Sequence, residues 1–270
     1  MKALSAGLAA FCLLGADKAW PRDYWLEAAA QTDSAAAGIV VLHLEAGASL
    51  EHAKAETIER RRLERFEDIH GDDRADLMPQ VDDAPATLDV PMAAAGVHII
   101  AMDRAAALTE ITAGDFNRYL QDKGLDAVLQ QRQATGEDVQ PARERYRRYV
   151  KTYVQVGPDD DWDRSSEAHQ TLEIIPTVNP LDLKAGQHLP LEVRFEGEPL
   201  PHAQLTASAR MPGGKLALQR VTTDAQGRAV IELHSSGLWL LQSVHMRRAA
   251  LDDDLVDWDS YWATCTFLLP

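Results

Sequence analysis

Nine histidines are spread along the chain, and none sits in a His-x-His or His-x₃-His pair. Such pairs hold a metal ion locally, so a metal site here would have to be assembled from distant segments. His245 stands beside Met246 in the strand-like SVHM, and imidazole and thioether both suit borderline or soft transition metals. Adjacent side chains of a strand face opposite ways, so these two do not easily share one ion. His43 and His98 lie in other strand-like stretches, and a lone strand histidine is more often a hydrogen-bonded structural residue than a ligand. Asp159-Asp-Asp161 and Asp252-Asp-Asp254 could recruit a hard cation such as calcium, but neither follows a regular ligand loop, and solvated loop charge is the simpler reading. Arg143, Arg145, Arg147, Arg148 and Lys151 form a basic segment in an acidic chain. They could meet an anionic ligand, and ion pairing with nearby acidic surface is the simpler expectation. No Gly-rich phosphate loop precedes a helix, no Gly-x-Ser-x-Gly elbow occurs, and no Ser/His/Asp order stands out, so the chain is read as non-enzymatic.

The formal net charge of −15 argues against nucleic acid or anionic lipid as a partner. At 270 residues, 46% hydrophobic and 26% charged, the chain has room for two soluble domains of ordinary size. Met1-Lys2 followed by the apolar run Ala3 to Ala16 reads as a secretory leader, with cleavage after Ala16 or Ala19, and residues 1–19 are assigned to it. Export to the periplasm is the expectation. No other segment approaches about 18 apolar residues, so no membrane-spanning segment is expected in the mature chain. Of two cysteines, Cys12 leaves with the leader and Cys265 remains, expected as a buried free thiol.

The elements are mostly strands. GIVVLHLE (38–45) reads as a buried strand; 51–68 is ambiguous between a helix and an exposed edge strand; 86–90, 96–102 and 108–111 read as three strands. Thr112 to Asp115 resembles a capping box opening the first of two helices near 113–134, with Gly124 and Gly136 as stops. Tyr146 to Val156 alternates, with Tyr149, Lys151 and Tyr153 on one face and Val150, Thr152 and Val154 on the other. Thr171 to Pro176 restarts strand structure, and 178–186 reads as an inter-domain joint. From Gln187 onward, short strands separated by Gly/Pro/Asp turns indicate an antiparallel sandwich. The reading is a mainly β chain of two sandwich-like domains: a β-rich one over 20–176 carrying the helices, and an immunoglobulin-like one over 187–270.

Four blocks carry a resemblance. They are Asp23-Tyr-Trp-Leu-Glu27; Phe116-Asn-Arg-Tyr-Leu120 with Gly124-Leu125, Arg143-Glu-Arg-Tyr146, Tyr149 and Lys151 to Gly157; Leu172-Glu-Ile-Ile-Pro176 with Asn179-Pro180; and Gly197 through His245, ending in Trp258 and Tyr261-Trp262. In order and spacing the chain resembles a bacterial family of periplasmic proteins whose conserved part is labelled a domain of unknown function. That family is described as the periplasmic component of cobalt/nickel transport. The resemblance implies a two-part β architecture, a periplasmic location, and nickel or cobalt as the ion, with a metal-uptake transporter as partner. It singles out His245 as a ligand, with Asp23 and Glu27 completing an N-terminal site. Where the family usually places a His before Asp23, this chain has Pro21-Arg22. The alternative function is a structural or interaction module that binds another envelope protein without metal.

Overall fold

The computed structural model describes residues 23–31, 38–81, 87–157, 162, 167–211 and 213–270. The expected leader and the acidic run 159–161 lie outside them. The described chain is mainly β. Its strands are β1 (Asp23–Gln31), β2 (Ile39–Gly47), β3 (Lys54–Glu56), β4 (Leu63–His70), β5 (Asp73–Asp76), β6 (Thr87–Pro91), β7 (Gly96–Ile111), β8 (Ala142–Val156), β9 (Leu172–Pro176), β10 (Gln187–Phe195), β11 (Glu198–Pro199), β12 (Gln204–Arg210), β13 (Leu216–Thr222), β14 (Arg228–Leu233), β15 (Gly237–Arg248) and β16 (Trp258–Leu269). Two helices, α1 (Ala113–Asp122) and α2 (Asp126–Thr135), join β7 to β8.

These strands make a central eight-stranded sheet, ordered β13-β12-β15-β16-β8-β7-β4-β5, and two four-stranded sheets. The alternation of β7 and β8 decides where the small sheets sit. Val150, Val154, Ile100 and Met102 point to one face and pack with Leu26, Leu42, Leu44 and Val90 of the sheet β1-β2-β3-β6. Tyr149, Tyr153, Ile99 and Ala101 point to the other and pack with Ile174, Leu191, Val193 and Ile231 of the sheet β9-β10-β11-β14. Burial on both faces explains why β7 carries a nearly continuous apolar run over Val97–Met102 and why Lys151 and Thr152 of β8 are buried. The sandwich reading therefore holds, and the two sandwiches share the central sheet. Segments 20–176 and 187–270 meet where β16 runs parallel to β8, from Trp258 opposite Glu144 to Thr266 opposite Thr152. Every other strand pair is antiparallel among the described residues. Residues 178–186 connect β9 to β10, which is its own antiparallel neighbour.

The helices follow their sequence signals. Asp115 N–H donates to the Thr112 hydroxyl at 3.4 Å, capping α1, and Gly136 ends α2 in the left-handed region. Their apolar sides, Phe116, Tyr119, Leu120, Val128 and Leu129, pack on Val244, Met246, Trp258 and Trp262. Two element expectations change. The strands read at 96–102 and 108–111 are one strand, β7, interrupted by a bulge between Arg104 and Ala107. The ambiguous stretch 51–68 holds short 3-10 turns at Leu50–His52 and Arg60–Arg62, then β4. β4 is not an edge, because β5 pairs with its far side.

Candidate functional site

The side chains of β1 divide between a core and a cleft. Leu26 points into the core under β8, with Tyr24 and Ala28 packed beside it. Trp25 and Glu27 point the other way, and pairing puts Trp25 opposite Glu45 and Glu27 opposite His43 on the same face of the sheet. Trp25 is fully buried against Leu50 and Leu240. Its indole N–H donates to Glu27 Oε1 at 3.0 Å. Arg210, at the end of β12, reaches across: Nη1 donates to Glu27 Oε2 at 3.1 Å and Nη2 to the Leu50 carbonyl at 3.1 Å. One arginine thus fastens β1 and the turn after β2 to the central sheet.

Register continues that position across the sheet. Arg210 is opposite both Leu216 of β13 and Leu238 of β15, and Leu238 is opposite Leu268 of β16. The four share one face, and Arg210, Leu238 and Leu268 line the flank of a cleft of about 510 Å³ whose walls also include Glu27, His43 and Met211. Leu218, two residues along β13, shares this face. Leu216, Leu218 and Leu268 are 36%, 56% and 58% exposed. On β2, opposite Trp25, burial raises the Glu45 carboxyl above its ordinary pKa; the Glu27 charge adds to this, against Arg210 and His43. β13 is the terminal strand of its sheet, and β12 is its only ladder partner among the described residues.

The structure does not bring the three proposed metal ligands together. Asp23 and Glu27 share a face of β1, but four residues of strand separate them by roughly 13 Å. Asp23 is buried and accepts from Lys123 Nζ at 2.8 Å. Glu27 is held by Arg210 and Trp25. His245 lies on the opposite face of the central sheet, its ring 4.3 Å from that of Phe195 of β10. Burial lowers the His245 pKa, and the Arg247 charge lowers it further. Among the described residues no three His, Cys, Asp or Glu side chains are arranged to hold a metal ion. The donors present do not fit a nickel or cobalt site of the expected composition. Of the other strand histidines, His43 lines the cleft, whereas His98 is buried, 2.8 Å from Asp68 and stacked on His70.

The basic segment is largely paired. Arg143 binds Asp257, Arg145 binds Asp253 and Asp259, and Arg147 reaches Asp259 at 3.5 Å. Asp253 of the run 252–254 is thereby committed to Arg145. Lys151 turns inward and meets Glu173 at 2.6 Å, with both side chains buried. Burial works against both charges, yet each outweighs it for the other: the lysine pKa is raised and the carboxyl pKa lowered. Cys265 is buried beside them, its thiol pushed up to about 12 by burial. Sequence reasoning missed Arg210, His43 beside Glu27, and the Lys151–Glu173 pair. A register for β1 on β2 would have exposed the second; the others join residues distant in the chain.

A family model described as a domain of unknown function, DUF4198, matches residues 19–247. No curated protein matches the chain. Among solved structures, the D0-D1 domain of Intimin is similar over 91% of this chain and 97% of that chain, at 12% identity and a TM-score of 0.21. Backbone agreement at that score is too slight to carry an inference.

Proposed function

The chain belongs to the DUF4198 family, a domain of unknown function, and on that premise we propose that it is an exported, non-enzymatic interaction module that binds another protein of the cell envelope through the cleft beside β1. One observation carries the reading: exposed Leu216, Leu218 and Leu268 line one face of a terminal strand and its neighbours, next to a cleft whose polar groups are clamped by Arg210. A terminal strand with apolar side chains on an open face favours an extended segment of a partner, which would add backbone hydrogen bonds along β13 and seat alternate side chains against these leucines. The leader-like residues 1–19 support the periplasm as the compartment.

A role with nickel or cobalt rests on the sequence resemblance. The structure contributes only Glu27 and His43 side by side, and Glu27 is already held by Arg210. Calorimetry of the mature protein with each ion tests that role directly; binding at micromolar metal would revive it.

The interaction reading is tested by a photo-crosslinking residue at position 218 in cells. One dominant adduct with a single envelope protein is expected, absent when the crosslinker stands at exposed Val139. No adduct, or the same adducts from both positions, would sink the reading. Leu218→Lys should leave stability within about 0.5 kcal/mol of the parent while abolishing co-purification of that partner.

A further inference from the structure

On the other side of β1 from the cleft, Tyr24 lies in a cluster of arginines. The Arg104 guanidinium carbon is 4.3 Å from the centre of its ring and that of Arg148 is 4.7 Å away. Arg104 is only 7% exposed. It forms no ion pair with a described carboxylate, and its Nη1 is buried without a hydrogen-bond partner. A buried guanidinium in that state is costly, because desolvation of the charge is offset by the tyrosine ring and the more distant Glu56 charge, without an ion pair. Burial lowers its pKa, and the charges of Arg148 and Arg62 lower it further.

The surrounding geometry makes room for a counter-ion. Tyr24, Arg61, Arg62, Arg104, Tyr146 and Arg148 line a pocket of about 300 Å³. Its remaining wall is Ala105 to Ala107, where the bulge takes Ala105 and Ala106 out of register with β8. Small side chains and an interrupted ladder leave space in front of the guanidiniums. The nearby carboxylates are already engaged or only acting at a distance. Glu59 binds Arg61 and Arg62. Glu144, fully buried, accepts at Oε1 from Tyr119 and Ser260, leaves Oε2 without a hydrogen-bond partner, and interacts with Arg148 through its charge. Glu56 acts on Arg104 through its charge without forming an ion pair. This concentration of positive charge with a buried unpartnered donor stands in a chain of net charge −15, and it contrasts with Arg143, Arg145, Arg247 and Arg248, each of which is paired with a carboxylate.

We propose that this pocket binds a small oxyanion, with Arg104 and Arg148 as its buried donors and Arg62 closing it from the solvent side. The shared chemistry is a phosphate or carboxylate group, either of which accepts in-plane hydrogen bonds from guanidinium. The bound anion would relieve the repulsion between the two arginines stacked on Tyr24.

Calorimetry and thermal melts of the mature protein, with inorganic phosphate in one arm and acetate in the other at matched ionic strength, test the proposal. Saturable binding with a Kd of ~1 mM or tighter is expected in at least one arm, with a rise in melting temperature that saturates over the same range. Arg104→Met should weaken it about tenfold or more, whereas Arg118→Met, an exposed change on α1, should leave it unchanged. If Arg104→Met does not fold, Arg62→Met at the pocket mouth serves instead and should weaken binding by about threefold. A response to phosphate alone assigns the pocket to phosphate groups, and a response to both anions assigns it to oxyanions in general. No saturable response in either arm, or an undiminished response in the pocket variants, overturns the proposal.

Discussion

The two faces of the central sheet are covered in different ways. On the face under β9-β10-β11-β14, one apolar cluster runs without interruption from Ile69 and Val97 through Tyr149 and Tyr261 to Leu205. On the face under β1, the buried residues fall into three separate clusters: one beneath β1-β2-β3-β6, one beneath the helices, and a small one around Trp25. The continuous face holds the buried Lys151–Glu173 pair. The divided face leaves openings where its clusters meet, the cleft at Glu27 and the arginine pocket at Tyr24. Both openings flank β1, the strand that reaches both clusters and accepts hydrogen bonds from Thr264 and Thr266 through its carbonyls. Clefts also lie against β9, β10 and β14, lined by Leu191, Glu192 and Arg228 and by Glu167, Glu173 and Arg194, so the two faces differ in the continuity of their apolar clusters.

The sharpest way to break this contrast is to unpair the continuous face. Lys151→Met leaves Glu173 buried as an uncompensated charge and should cost about 3–5 kcal/mol in a urea titration. Glu173 also accepts from the Ala168 and Gln170 amides at 2.8 and 3.2 Å. The double variant Lys151→Met with Glu173→Gln keeps an acceptor for those amides and removes the charge, so it should recover most of the loss. A double variant as unstable as the single one would mean that Lys151 contributes packing rather than charge. On the divided face the corresponding change is Arg210→Met, which removes one partly exposed ion pair and one hydrogen bond to Leu50. About 1 kcal/mol is expected, with faster amide exchange confined to β1 and the turn at Leu50. Exchange that accelerates equally in β10 would show that the two faces are not energetically separate.

The same contrast marks what could be read from the chain. The alternation at 146–156 was legible because each position of β8 has one face, and the caps at Thr112 and Gly136 are local chemistry. Turns such as Asp224 to Gly227 were legible too, since Gly227 adopts a φ of 70° and its position cannot hold a Cβ without meeting the Val193 carbonyl at 2.7 Å. The parallel pairing of β16 with β8 has no local signature, for it depends on residues 114 apart, such as Thr152 bonded to the Thr266 carbonyl. The bulge in β7 was read as a gap between two strands because Asp103 and Arg104 interrupt the apolar pattern and three alanines after them show no alternation. Arg210 looked like any strand-end arginine, since its partner Glu27 is 183 residues away. The candidate site was legible only at Glu27; His245 was placed on a strand and Asp23 was given no element, and facing directions and ion pairs are set by tertiary packing.

The smallest effect belongs to His245, the charged-state sensor of the continuous face. Its ring sits between Phe195 and Tyr261, with Arg247 and Glu196 as the neighbouring charges. Burial first, and Arg247 second, hold its folded pKa below the unfolded value of about 6.5. Above that value both states are neutral and the ring contributes no pH dependence. As pH falls through it, the unfolded chain takes up a proton that the folded ring resists, so the protein loses stability until the folded pKa is also passed. His245→Phe fills the same aromatic site without a titrating group. The variant should match the parent at about pH 7.5 and exceed it at about pH 5 in urea midpoint. An unchanged pH profile would show that the ring is solvated enough to titrate alike in both states, and the continuous core would then have to end short of β15's outer half.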